Sequence, residues 1–191
     1  SVMTRSKDSN LIIERCEIEG LMVIKPTVHG DARGAFAEVW RENRYAEVLP
    51  AVTFCQDNVS VSSRGVLRGL HFQKQFPQAK LVTVLEGSIF DVAVDLRPGS
   101  PFFGRWVGVT LKPFEQFFIP ERFAHGFLCL SEKAVIGYRC SDYYHPEDEG
   151  SIHYADPDLA ITWPITENLS LSEKDAQAKS FRSFCESLKN R

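Results

Sequence analysis

The sequence contains no apolar run near the roughly 18–20 residues that a membrane-spanning helix needs. It has no surplus of positive charge either: 22 lysines and arginines stand against 25 aspartates and glutamates, a net charge of −3. That balance argues against a general nucleic-acid binder or a protein held to an acidic membrane, since both are usually basic. Cysteine is scarce and unpatterned. Cys16, Cys55, Cys129, Cys140 and Cys185 are odd in number, widely spaced and form no Cys-x-x-Cys pair. They read as small buried hydrophobes in a reducing cytoplasm rather than as a disulfide framework or a zinc site. Neither common glycine-rich phosphate loop is present. The paired-histidine pattern of a metal-carrying β-barrel is missing too. His71 is followed by Phe72 and Gln73 with no acid before Glu86, and His125 by Gly126 and Phe127. His145 and His153 lie in polar, turn-like surroundings. A catalytic metal needs imidazole and carboxylate ligands that converge, so none is expected.

What is present suits one domain over residues 1–191 with a real core. Hydrophobic residues make up 43% and charged residues 25%, ordinary values for a globular protein. Residues 1–10 are polar, lack the apolar centre of a signal peptide, and read as a flexible extension. Leu11 to Ile24 can hold one or two strands, and Gly30-Asp31-Ala32-Arg33-Gly34 is turn chemistry. Ala35 to Trp40 alternates, and Glu42 to Leu49 reads as a short helix stopped before Pro50. Strand signals follow over 52–60, 66–73, 80–85, 88–96, 106–111, 116–119, 124–130 and 134–141. So many short strands between Gly, Pro and charged breaks predict an antiparallel sandwich or barrel. Lys174 to Lys189 predicts a C-terminal helix.

One stretch stands out chemically. Between Arg64 and Lys80, cations and a histidine interrupt apolar residues. Charged side chains are rarely buried without partners, so Arg68, His71 and Lys80 reach solvent, pair internally, or face a pocket that receives an anion. A histidine side chain in general changes charge near neutral pH, and that residue type suits a general base at position 71, although a lone strand histidine is more often structural. Strict alternation would set Arg68 and His71 on opposite faces, and a bulge at Gly69 would reconcile them. Tyr138 reads first as a half-buried strand aromatic, and Asp175 as a solvated helix residue. Asp175 gains meaning only if it hydrogen-bonds His71 and fixes its tautomer.

These residues carry a resemblance. From Asp31 to Asp175, about three quarters of the chain, the sequence resembles the dTDP-4-dehydrorhamnose 3,5-epimerase family. The matching motifs run in order: Asp31 through Glu38, Gln56-Asp57-Asn58-Val59-Ser60, Arg68-Gly69-Leu70-His71 and Gln78-Ala79-Lys80. Then come Asp91 through Arg97, Gly99-Ser100-Pro101, Ala124-His125-Gly126-Phe127 and Asp156-Pro157. The resemblance implies an all-β, antiparallel, cupin-like jelly-roll barrel with short peripheral helices. It implies His71 as catalytic base, Asp175 as its acidic partner, Tyr138 as proton donor, and Lys80 steadying an enolate oxygen. Arg33, Glu38, Gln56, Asn58, Arg68, His125, Glu149 and Lys174 match positions that hold the diphosphate or the sugar. Phe36 and Tyr144 match aromatic rings around the ligand. A homodimer with exchanged N-terminal strands is implied, with no cofactor. Arg122 stands where many members carry glycine, so this loop is expected to run differently.

The implied substrate is a dTDP-linked 4-keto-6-deoxyhexose of deoxysugar biosynthesis, inverted at C3 and C5. The C4 ketone acidifies both neighbouring C–H bonds, and inversion needs a base on one face and a donor on the other. Three alternatives stand beside this reading: a mono-epimerase, a cupin-type 3,4-ketoisomerase, and a non-catalytic sugar-nucleotide binding module.

Overall fold

The computed structural model describes residues 2–6 and 10–190. Fourteen strands and three α-helices are described. A seven-stranded sheet has the order β1-β2-β3-β11-β8-β13-β6, and a five-stranded sheet the order β10-β9-β12-β7-β14. The strands of the first are β1 (Val2–Arg5), β2 (Leu11–Arg15), β3 (Met22–Pro26), β6 (Gln56–Ser63), β8 (Lys80–Glu86), β11 (Gln116–Ile119) and β13 (Lys133–Cys140). Those of the second are β7 (Leu67–Gln73), β9 (Ile89–Asp95), β10 (Trp106–Leu111), β12 (Phe123–Cys129) and β14 (Glu149–Ser151). Every ladder between these strands is antiparallel. β4 (Val28–Asp31) and β5 (Gly34–Ala37) form a separate hairpin. The expected antiparallel jelly-roll architecture, cupin-like in form, is what the chain adopts.

Alternation along the strands sorts the core into three layers. Val82, Val84, Ala93, Phe117, Phe127 and Ile136 pack between the sheets. Val92, Val94, Ala124 and Leu128 face outward from the five-stranded sheet, where Ile152, Leu159 and Trp163 of the C-terminal segment cover them. Leu11, Ile13, Ile24, Leu81 and Phe118 face outward from the other sheet and are capped by Tyr45 and Leu49. β9 and β12 are thus covered on both faces, which is why their sequences read as nearly continuous apolar runs.

Several local expectations are corrected. Within the N-terminal stretch read as a flexible extension, residues 2–5 pair with β2 as a strand, because the free edge of β2 offers ladder hydrogen bonds. Residues 1 and 7–9 lie outside the described residues. α1 covers only Glu42–Tyr45, and looser turns lead to Leu49. The C-terminal helix is two helices, α2 (Glu173–Ala176) and α3 (Phe181–Lys189). Between them the chain is tied to the tail: His153 N–H donates to the Lys179 carbonyl at 2.8 Å and Phe181 N–H to Asp156 at 2.8 Å. Ser172 and Ser180 each accept a backbone N–H at a helix start. Among the described residues, no helix is long and apolar enough to cross a membrane.

The loop at Arg122 does not abandon the conformation that a glycine would allow. Arg122 itself adopts φ 66°, and its carbonyl accepts the Leu96 N–H at 2.9 Å. The left-handed region costs a side-chain-bearing residue about 1–2 kcal/mol. Arg122→Gly is therefore expected to stabilise the fold by about 1 kcal/mol, allowing for the greater freedom of glycine in the unfolded chain. A urea midpoint that stays put or falls would contradict this.

Candidate active site

The open end of the barrel holds a cavity of about 570 Å³. His71, Lys80, His125, Tyr138, Glu149, Lys174 and Asp175 line it, with Arg68 at its edge. The backbone explains how Arg68 and His71 share it. The β7–β12 ladder loses register between His125 and Phe127, and Gly69 sits at φ 117°. This bulge inserts one extra residue, so Leu70 turns outward into the core and His71 turns inward.

His71 Nε2 lies 2.6 Å from Asp175 Oδ1. The other carboxylate oxygen, Oδ2, accepts the Gly69 N–H at 3.0 Å. Ser172 caps α2 by accepting the Asp175 N–H at 3.1 Å, which fixes the direction in which the carboxylate leaves the helix. Burial pushes the Asp175 carboxyl up, but the hydrogen bonds from His71 and Gly69 outweigh it and hold the group below the usual carboxylate range. An ionised Asp175 takes the Nε2–H of His71 and leaves a lone pair on Nδ1.

Tyr138 and Lys80 stand on the other sheet. Tyr138 pairs with Val82 and Cys140 with Lys80, so Tyr138 and Lys80 are diagonal neighbours. Lys80 Nζ lies 5.7 Å from the Tyr138 ring centroid. Burial pushes Lys80 below the usual lysine range, partly opposed by Cys140, Asp91 and Glu149. Burial also pushes the Tyr138 hydroxyl above its usual range, with Cys140 adding to the effect and a hydrogen bond with Asn58 opposing it. At neutral pH Tyr138 is therefore a phenol with a proton to give. A base on one wall and a donor on the other can remove a proton from one side of a bound molecule and return one to the opposite side.

The remaining expected residues divide. Lys174 Nζ contacts Glu149 Oε1 at 2.6 Å on the cavity wall. Arg68 donates to Ser62 Oγ at 3.1 Å. Gln56, Asn58 and Tyr144 form an adjoining cluster: Gln56 donates to Asn58 Oδ1 at 3.3 Å and accepts the Tyr144 N–H at 3.0 Å. Arg33, Phe36 and Glu38 do not line this cavity. Arg33 is exposed on the β4–β5 hairpin and pairs with Asp31 at 2.6 Å. Phe36 is 70% exposed, and Glu38 is held by Arg44. Sequence reasoning missed Ser60, Ser172 and Asp91 as parts of the site. Ser60 lines the cavity, and Asp91 Oδ1 lies 2.5 Å from His125 Nε2. A signal for Asp91 was available: an acid between the apolar residues Phe90 and Val92, in phase with the inward-facing Ile89 and Ala93.

Comparison with known proteins bears directly on this geometry. Residues 15–183 match the family model described as dTDP-4-dehydrorhamnose 3,5-epimerase. An enzyme of that name from Methanothermobacter thermautotrophicus is 48% identical over 172 residues, covering 88% of this chain and 93% of that protein. The one from Escherichia coli is 48% identical over 165 residues, covering 84% and 89%. A crystal structure of dTDP-6-deoxy-D-glucose-3,5-epimerase from Legionella pneumophila, in complex with dTDP-4-keto-L-rhamnose, superposes with a TM-score of 0.89. It is 52% identical, covering 93% of this chain and 96% of that one. The chain belongs to the dTDP-4-dehydrorhamnose 3,5-epimerase family.

Proposed function

We propose that this protein epimerises a dTDP-linked 4-keto-6-deoxyhexose at C3 and C5 through enolates, in the formation of dTDP-L-rhamnose-type sugars. The observation that carries this is the division of the cavity: His71 with Asp175 on one wall, Tyr138 with Lys80 on the other. His71 Nδ1 takes a proton next to the C4 ketone, and the electron pair moves into the enolate. The Lys80 ammonium faces the developing oxyanion, where a fixed positive charge in a dry site counts most. Tyr138 gives its proton to the opposite face, which inverts the carbon. Arg68 and Lys174 meet the diphosphate, whose oxygens suit cationic donors, while Glu149 holds Lys174 and His125 meets the sugar.

The nucleotide end is completed by a second copy. The β4–β5 hairpin carries Arg33 and Phe36 away from its own cavity. Among the described residues, β1 and β6 are the two edges of the seven-stranded sheet. In a homodimer with exchanged N-terminal strands, Arg33, Phe36 and Glu38 of one subunit join Gln56, Asn58 and Tyr144 of the other around the base. The five cysteines are free thiols, in keeping with a cytoplasmic setting.

The test is proton NMR of dTDP-4-keto-6-deoxyglucose with the enzyme in deuterated water. Deuterium entering C3 and C5, with the inverted product trapped by a reductase, is expected. Exchange at one carbon alone would make the enzyme a mono-epimerase, and no exchange would reject the proposal. Tyr138→Phe is expected to keep exchange, because His71 can return a solvent deuteron to the face it came from. Its inverted product should fall by about 10²–10⁴-fold. Inversion at the wild-type rate in this variant would remove Tyr138 from the mechanism.

A further inference from the structure

A second cavity, of about 380 Å³, adjoins the first. The two share Glu149 and Lys174, whose ion pair at 2.6 Å stands between them. Its volume falls within the range of sites that take small molecules. Phe72 and Phe184 form its apolar floor, meeting edge to face with ring centroids 5.2 Å apart. Around that floor stand Lys74, Lys174 and Lys179. Their three ammoniums against the one carboxylate of Glu149 leave two positive charges, in a chain whose net charge is −3. Among the described residues, Lys74 and Lys179 form no ion pair. The backbone holds both lysines in place. The Lys74 N–H donates to the Asp148 carbonyl at 3.2 Å, and the Lys179 carbonyl accepts the His153 N–H at 2.8 Å. The Phe72 ring and the Lys74 stem both lie against Gly150, where a Cβ would sit 2.4 Å from Phe72 Cζ and 3.1 Å from Lys74 Cε. Gly150 thus leaves β14 bare, and the ring and the stem rest on it. Ser183 of α3 adds a hydroxyl to the lining.

Like charges around one cavity repel each other, and a bound dianion removes that repulsion. A phosphomonoester carries about −1.5 to −2 charges at neutral pH, on three acceptor oxygens. An apolar body on the ester covers the phenylalanine floor, which a bare phosphate leaves wet. We propose that this second cavity binds a phosphomonoester with a flat apolar body, and that this ligand weakens the binding of the nucleotide diphosphate in the first cavity. The coupling runs through Lys174. Its ammonium is the one group that both anions claim, the diphosphate from one side and the phosphomonoester from the other. A ligand in the second cavity draws Lys174 out of the first, so the affinity for dTDP falls, and by reciprocity dTDP lowers the affinity for that ligand. His71, Lys80 and Tyr138 line only the first cavity, so the proton transfers themselves are untouched.

This inference rests on the reading of Lys174 as a diphosphate contact. Its test is calorimetry of dTDP binding to the whole enzyme at rising concentrations of phenyl phosphate and constant ionic strength. The apparent Kd for dTDP is expected to rise by about fivefold or more and then level off, because ligands in separate cavities can be bound together. Inorganic phosphate is expected to need at least about tenfold higher concentration for the same effect, since it leaves the apolar floor uncovered. In the double variant Lys74→Ala, Lys179→Ala, dTDP affinity without phenyl phosphate should stay within about twofold. Half of the effect should then need at least about tenfold more phenyl phosphate, the cost of losing charged hydrogen bonds. Both lysines are exposed, so the variant keeps the fold. A rise in Kd without limit, equal in both proteins, would put phenyl phosphate in the dTDP site and overturn the inference. So would no effect on dTDP, or an effect that the double variant leaves unchanged. Equal potency of inorganic phosphate would overturn the apolar body. Failure of dTDP to bind in the absence of phenyl phosphate would overturn the diphosphate reading, and this inference with it.

Discussion

His71→Ala is expected to lower formation of the doubly inverted product by about 10³–10⁴-fold while the enzyme still binds dTDP. The size follows from the role. A positioned general base contributes about 10²–10⁴-fold, and His71 works as one unit with Asp175 at 2.6 Å. Without the imidazole, no group on that part of the wall takes the proton, and the Asp175 carboxylate keeps only the Gly69 N–H and the neighbouring charges. Binding survives because the diphosphate contacts come from other residues. Turnover by NMR and dTDP affinity by calorimetry separate the two effects. Near-wild-type turnover would sink the mechanism, and loss of dTDP binding alongside turnover would mean that His71 holds the cavity together instead.

The sequence made the barrel legible because strand alternation and turn residues are local signals. β7, β8, β9, β12 and β13 lie within a residue or two of their expected places. What it hid depends on contacts distant in the chain. β14 is three residues, Glu149–Ser151, with no alternation of its own, and it exists because β7 offers it an edge. The split between α2 and α3 comes from Asp156 and His153, some 25 residues upstream. Asp175 looked like a solvated helix residue, and it is 4% exposed because α2 leans over β7. His71, Lys80 and Tyr138 were legible as polar residues on apolar strands. Asp91 was not singled out, because its partner His125 lies 34 residues away and the pairing needs the β9–β12 ladder to form. Arg33 and Phe36 were legible only through the family resemblance, since in this chain they touch none of the cavity.

Gly69→Ala is expected to destabilise the fold by about 3–5 kcal/mol and to cut turnover by more than 100-fold in whatever still folds. Gly69 sits at φ 117°, a region that side-chain-bearing residues rarely adopt, at a cost of at least about 1–2 kcal/mol. A Cβ there would lie 2.6 Å from Gly126 Cα and 2.6 Å from the His125 carbonyl oxygen. Both are backbone atoms of a ladder neighbour, so no rotamer change relieves the clash, and overpacking of this kind adds about 1–3 kcal/mol. That is a large share of the roughly 5–15 kcal/mol that holds a domain together. The chain has one way out, which is to iron the bulge flat. A flat strand shifts every later residue by one position and reverses its face. Leu70 would then point into the cavity and His71 into the apolar layer with Leu67 and Leu128. The Gly69 N–H that holds Asp175 Oδ2 would be re-aimed at the same time. Fold and chemistry therefore fail together at this glycine. Urea unfolding and deuterium exchange at C3 and C5 measure the two losses separately. A variant with the wild-type midpoint and wild-type exchange would show that the bulge is not what turns His71 inward.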